Sequence, residues 1–262
     1  MIKGININQG YNDKLVLKNL NLNIYENKLT SIIGPNGAGK SSLLGVLTRL
    51  LPLKDGNVFI DDVNLKDLKS LDISKKIGIL KQSNNLNIKL SIYDLVSFGR
   101  YPYSKGFLNN FDKDIINKSL NYLNLLDMKD SYLDELSGGQ RQRAFIAMIL
   151  AQDTKYIFLD EPLNNLDMKY SSETMNILKK LVKDLKKTII MVVHDINLAS
   201  VYSDYIIAMK NGLIYKEGIV SDVITKEVLD KVFDFNFKIE KINNKNICLY
   251  EENLWKNYFL VY

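Results

Sequence analysis

Thr30-Ser31-Ile32-Ile33-Gly34-Pro35-Asn36-Gly37-Ala38-Gly39-Lys40-Ser41 reads as a short apolar strand, a glycine-rich turn and the start of a helix. Gly34 to Ser41 has the Gly-x4-Gly-Lys-Ser spacing of a phosphate loop. The apolar run before it and the helical pattern from Lys40 to Leu50 supply the strand–loop–helix setting this motif requires. Without a Cβ, glycines at 34, 37 and 39 can take positive φ and turn backbone N–H groups inward. Those groups and the helix start favour an anion. The pattern therefore predicts a nucleotide's phosphates at this loop. Lys40 would lie on the β- and γ-phosphates, and the Ser41 hydroxyl on Mg²⁺.

Farther along stands Tyr156-Ile157-Phe158-Leu159-Asp160-Glu161-Pro162. An uninterrupted apolar run this short predicts a strand covered on both faces in a parallel sheet. Its two carboxylates fall at the carboxyl end, where open α/β sheets bind ligands. Alone, an acidic pair after a strand more often caps the next helix. Beside a phosphate loop, Asp160 is expected in the Mg²⁺ shell and Glu161 is placed to polarise an attacking water.

Between them lies Leu136-Ser137-Gly138-Gly139-Gln140-Arg141-Gln142-Arg143. Ser137 can cap a helix with Gln140 at its third position, as in a capping box. Gly138 and Gly139 expose backbone N–H groups at that helix start, which makes a second anion site.

Together these segments resemble the ATPase subunit of an ABC transporter over roughly residues 1–218. The resemblance implies an α/β fold: a P-loop ABC ATPase core with a mixed sheet and flanking helices, plus an inserted α-helical subdomain. It assigns ATP contacts to Gly34, Pro35, Asn36, Gly37, Ala38, Gly39, Lys40, Ser41, Ser42 and Asp160, and adenine stacking to Tyr11. Gln82 becomes the Q-loop glutamine, sharing Mg²⁺ with Ser41 and Asp160. Glu161 becomes the catalytic carboxylate and His194, after the apolar run Ile189 to Val193, the switch histidine. Ser137, Gly138, Gly139 and Gln140, with Asp167 of the D-loop Asn164-Asn165-Leu166-Asp167, would serve the ATP of a partner subunit. Two copies would then close head to tail around two nucleotides, a two-fold arrangement. Read singly, Gln82 also fits a solvated loop, Tyr11 a plain turn in Gly10-Tyr11-Asn12-Asp13, and the one histidine a surface cap.

The run from Asp94 to Tyr103, the Asn164–Met168 stretch and the His194–Ala199 stretch resemble ferric-siderophore and cobalamin-type importer ATPases, the iron-chelate branch most closely. That implies two transmembrane permease subunits, an extracytoplasmic siderophore-binding protein and a place on the cytoplasmic face of the membrane. Gln82 and the helical lobe would form the groove that receives a permease helix. Another cargo, such as cobalamin, haem or a metal ion, is the alternative. A non-transport ABC ATPase fits less well, because such relatives carry two cassettes or a long coiled coil, and this chain has no sustained heptads.

The remaining features set bounds. A net charge of +5 over 262 residues is modest and spread out, so nucleic acid is not expected as a partner. The single cysteine, Cys248, excludes an internal disulfide and suits a reducing compartment. No signal-peptide region and no bilayer-length apolar run occurs. The abundant Asn, Lys and Ile read as composition rather than mechanism. The expected organisation is one ABC ATPase domain over residues 1–218 with a helical subdomain inserted at about 83–151. A C-terminal extension at 219–262 would hold a helix and then strands at Phe235–Ile239 and Asn246–Tyr250. Up to Gln82, short strands are expected with one helix, that of the phosphate loop. The stripe Ile115, Ile116, Leu120, Leu123, Leu126 predicts a helix over Asp112–Leu126 packed in the core. Ser91 and Asp94 predict a capped helix start.

Overall fold

The computed structural model describes residues 1–12, 14–81, 89–164 and 166–249. Gln82 and Asn165, and the side chain of Tyr11, lie outside the described residues.

Two sheets organise the chain. Strands β1 (Ile2–Tyr11), β2 (Lys14–Ile24), β4 (Asp55–Ile60) and β5 (Val63–Asn64) form an antiparallel sheet in the order β2-β1-β4-β5. Strands β3 (Leu29–Ile33), β6 (Ile77–Leu80), β7 (Tyr156–Asp160), β8 (Thr188–Val192), β9 (Tyr205–Lys210) and β10 (Leu213–Ile219) form the second, in the order β10-β9-β3-β8-β7-β6. Its pairings are parallel except that of β9 with β10. Every residue of β3 and β8 is buried, as a strand covered on both faces requires.

Helix α1 (Lys40–Leu47) lies between the sheets. Its Leu43, Leu44 and Leu47 share one apolar cluster with Ile2, Leu17 and Ile60 of the antiparallel sheet and Phe158, Ile190 and Ile207 of the parallel one. The first eighty residues hold a second helix, α2 (Ser70–Lys76), where only the phosphate-loop helix was expected. It buries a single residue, Ile73, so its sequence shows no apolar stripe. The strands of this part are also long, ten and eleven residues for β1 and β2.

Between neighbouring strands β6 and β7 the chain leaves the sheet and forms α3 (Ile92–Phe98), α4 (Tyr101–Ser104), α5 (Asn110–Tyr122) and α6 (Gly138–Ala151). Ser91 caps α3 in a box with Asp94, as the sequence predicts. Helix α5 starts earlier than the stripe suggests, because Asn109 and Asp112 form its capping box. Its Ile116 and Leu120, with Leu123 beyond its end, are buried against α3, α6 and α7 (Met168–Leu185). The buried Arg100 donates to Asp112 Oδ1 at 2.9 Å and to the Ala151 carbonyl at 2.9 Å, while Tyr103 covers the guanidinium at 4.1 Å. Three separated segments are thereby tied together.

After β8 come α8 (Ile196–Tyr202), and then, past β10, α9 (Val220–Val223), α10 (Lys226–Phe233) and the antiparallel hairpin β11 (Lys238–Ile242) and β12 (Lys245–Leu249). The hairpin lies later than the aromatic Phe235–Ile239 run suggests. Phe235 and Phe237 stack edge-on at 5.0 Å, and Phe237 packs with α10 in the core instead of opening a strand. Tyr250, the expected end of the second strand, lies outside the described residues.

Several reversals pass through left-handed asparagines: Asn12, Asn27, Asn124, Asn211, Asn243 and Asn244 have φ between 48° and 61°. No helix among the described residues is long and apolar enough to cross a membrane.

Candidate nucleotide-hydrolysis site

Strands β3, β8 and β7 are neighbours and run parallel, so their carboxyl ends deliver Gly34, Val193–His194 and Asp160–Glu161 to one edge. This edge is where an open α/β sheet binds its ligands.

The loop from Gly34 to Gly39 takes the conformation its glycines permit. Gly34, Gly37 and Gly39 have φ of 151°, 78° and 98°. A Cβ on Gly34 would lie 2.2 Å from the Met209 carbonyl oxygen, so the loop rests directly on β9. The Gly212 N–H donates to the Ala38 carbonyl at 3.1 Å and holds the loop from the β9–β10 turn. Lys40, 5% exposed, donates through Nζ to the carbonyls of Gly34 at 2.8 Å and Pro35 at 2.9 Å. Burial lowers its pKa, against the opposing pull of the Glu161 and Asp160 carboxylates.

Ser41 Oγ donates to Asp160 Oδ1 at 3.0 Å. Burial raises the Asp160 pKa, and the neighbouring Glu161 charge adds to the rise. The Ser41 hydrogen bond, Lys40 and His194 oppose it. A carboxylate left short of cationic compensation beside a hydroxyl oxygen is the hard-oxygen donor set that Mg²⁺ prefers.

Glu161 Oε1 meets His194 Nε2 at 2.5 Å, and its other carboxylate oxygen accepts from Asn164 Nδ2. Glu161 itself has φ of 52°, a left-handed conformation uncommon for glutamate. The Asn164 N–H donates to the Glu161 carbonyl at 3.2 Å and closes that turn. Asn164 is thus a positioning neighbour that the sequence reading left unassigned within its loop. Its three-residue spacing from Glu161 was the available signal. Leu163, Leu166 and Leu198 line a cavity of about 410 Å³ beside this pair, so one flank of the carboxylate is apolar.

The Ser137–Gln140 segment also has the predicted local geometry. Ser137 caps α6, its Oγ accepting from Gln140 N–H at 3.3 Å while Ser137 N–H donates to Gln140 Oε1 at 2.9 Å. Gly139 is buried, and a Cβ there would stand 2.4 Å from the Tyr170 ring of α7. Asp167 caps α7 through Tyr170 N–H at 2.9 Å. The Gly138 segment and Asp167 are therefore joined through one tyrosine. The structure brings Lys40, Ser41, Asp160, Glu161 and His194 together. Gln82 and the Tyr11 ring lie outside the described residues.

A phosphate loop seated between two sheets, with paired carboxylates at the end of the next strand but one, defines a P-loop nucleotide-binding protein of the α/β class. The ABC transporter family model matches residues 17–164, more than half of the chain. The petrobactin import ATP-binding protein YclP of Bacillus subtilis (strain 168) is 53% identical over 95% of this chain and 99% of its own. The iron(3+)-hydroxamate import ATP-binding protein FhuC of the same organism is 38% identical, covering 92% of this chain and 91% of its own. Among solved structures, the dimeric structure of MJ0796, a bacterial ABC transporter cassette, aligns with a TM-score of 0.74 at 33% identity, covering 84% of this chain and 99% of the other. The chain belongs to the ABC transporter family, as an ATP-binding cassette.

Proposed function

We propose that this chain is the ATP-hydrolysing subunit of an importer for ferric siderophore complexes. It works as a pair of copies held at the cytoplasmic face of the membrane by two permease subunits and supplied by an extracytoplasmic siderophore-binding protein. The chemistry rests on one observation: Ser41 is hydrogen-bonded to Asp160, and Glu161 is paired with His194, at the ends of adjacent strands. The cargo rests on the likeness to importer subunits for petrobactin and iron(3+)-hydroxamates.

In this reading the loop from Gly34 to Ser42 cradles the phosphates and Tyr11 stacks on adenine. Lys40 exchanges its carbonyl partners for phosphate oxygens. Ser41, Asp160 and Gln82 would hold Mg²⁺, which would supply charge neutralisation when bound. Glu161 accepts a proton from the attacking water, and His194 and Asn164 fix the direction its carboxylate faces. Ser137, Gly138, Gly139, Gln140 and Asp167 of one copy close over the ATP of the other. Residues 1–218 act as the cassette, with the helical subdomain at about 83–151 turned toward the permease and 219–262 as an extension on the core.

Glu161→Gln is expected to bind ATP, hydrolyse it poorly and accumulate as a dimer visible by light scattering. A variant that stays monomeric and turns over normally overturns the catalytic reading. Iron-starved source cells carrying the same substitution should lose radioactive iron uptake from one siderophore class and keep the others. Unchanged uptake from every siderophore, petrobactin and hydroxamates included, overturns the cargo reading.

A further inference from the structure

Helix α8 is a junction. It has seven residues, too few to hold helical shape without tertiary support. Asp195 caps it, accepting from Leu198 N–H at 2.9 Å, and His194 one residue earlier meets Glu161. At its far end Ser203 Oγ lies 2.6 Å from Ser31 Oγ of β3, the strand that leads into the phosphate loop. Tyr202 hydrogen-bonds Ser172 of α7 at 2.9 Å.

Its remaining side is gripped by the C-terminal hairpin. The Asn197 amide brackets the backbone of Cys248, donating through Nδ2 to its carbonyl at 3.1 Å and accepting its N–H on Oδ1 at 2.7 Å. Ser200 Oγ donates to the Asn246 carbonyl at 2.5 Å, and Asn246 Nδ2 donates to the Ile224 carbonyl at 2.8 Å. Ser200 is 0% exposed and Cys248 1%, so little water stands ready to replace these partners. Ile196, Ala199, Val223, Leu229 and Phe237 close the contact with apolar surface.

We infer that the hairpin β11–β12 is a clamp on α8, and that Asn197 is a positioning residue for hydrolysis, holding His194 against Glu161 through the helix. The inference rests on the reading of Glu161 and His194 as the hydrolytic pair. A helix loosened on its β12 side can tilt about its Ser203 end, which Ser31 and Ser172 hold, and a swing of the Asp195 end moves the imidazole off the carboxylate. Asn197 acts through His194, so its loss should slow the chemical step and leave ATP binding by the phosphate loop intact.

Steady-state ATP turnover by the full chain separates these roles, measured for the unaltered chain, Asn197→Leu, His194→Ala and the double variant. Asn197→Leu should lower kcat about tenfold with an almost unchanged KM for ATP, as expected for a misplaced reacting group. On the His194→Ala background the same substitution should add nothing, since both changes act through one contact. Ser200→Ala removes a single hydrogen bond and should lower kcat less, which covers an Asn197→Leu chain that does not fold. Normal turnover in Asn197→Leu and Ser200→Ala, with His194→Ala impaired, overturns the clamp and spares the hydrolytic pair. A loss that repeats in full on the His194→Ala background assigns Asn197 a merely structural role and also overturns it. Normal turnover in His194→Ala overturns both.

Discussion

Lys40 shows how one residue is prepared before its ligand arrives. Its ammonium is buried, and the loop's own carbonyls at Gly34 and Pro35 hold it in place. Hydrogen bonds to a charged group contribute about 1.5–3 kcal/mol, so Lys40→Ala should weaken ATP binding roughly ten- to a hundredfold. Calorimetric titration checks this, and an unchanged affinity would argue against the phosphate role. Glu161 is prepared differently, by a left-handed backbone that Asn164 closes from both its main chain and its side chain. Lys40, Ser41, Asp160 and Glu161 were legible from sequence because each sits at a fixed offset from a strand end. Family order assigned roles to Glu161 and His194, but their contact was not legible from the sequence. Thirty-three residues separate the pair, and spacing alone carries no distance.

At the scale of elements, local chemistry read well and long-range chemistry did not. The boxes Ser91–Asp94 and Ser137–Gln140 involve side chains three residues apart, and both formed as the sequence predicts. Helix α2 escaped notice because it buries one side chain, and the hairpin shifted because Phe235 and Phe237 serve the core beneath it. The pair of Arg100 and Asp112 could not be read either, since nothing local says that α4, α5 and the end of α6 converge. Its side chains are 3% and 2% exposed. Removing one partner of a buried pair costs about 3–5 kcal/mol, because the other charge stays buried. Asp112→Ala should therefore shift urea denaturation by about that amount, with part of the loss due to its broken capping box with Asn109. The double change Arg100→Met with Asp112→Leu should recover most of the difference. Equal stability of Asp112→Ala and the unaltered chain would show that the pair holds nothing together.

Over the whole molecule, one charge cluster ties distant parts of the fold. Glu26, at the end of the second strand's turn, and Asp61, between β4 and β5, receive Lys155 at 2.7 Å and 2.8 Å, and the Tyr156 hydroxyl donates to Asp61 at 2.5 Å. The Lys155 hydrogen bond is the largest cause holding Glu26 down, from 4.5 to about 2. Asp61 is also lowered: burial raises its pKa, and hydrogen bonds from Lys155, Tyr156 and Lys76 more than offset it. A carboxyl depressed on folding stabilises the fold above its unfolded value and loses that contribution as pH falls through the folded one. Stability should thus decline between about pH 4.5 and 2, and Lys155→Met should make that decline shallower. Acid titration followed by circular dichroism measures both, and identical profiles would discount the cluster. The phosphate-loop core followed from strand–loop–helix order, but the division of its strands between two sheets did not. This network did not, because it depends on which turns the sheets bring face to face. Asparagine, which the sequence offered as mere composition, has a similar late meaning. It supplies many of the left-handed reversals in a chain of 262 residues with only 14 glycines. Asparagine tolerates that backbone yet wanders less than glycine when the chain is denatured. Turns built on asparagine therefore cost this protein less entropy of ordering than glycine would impose.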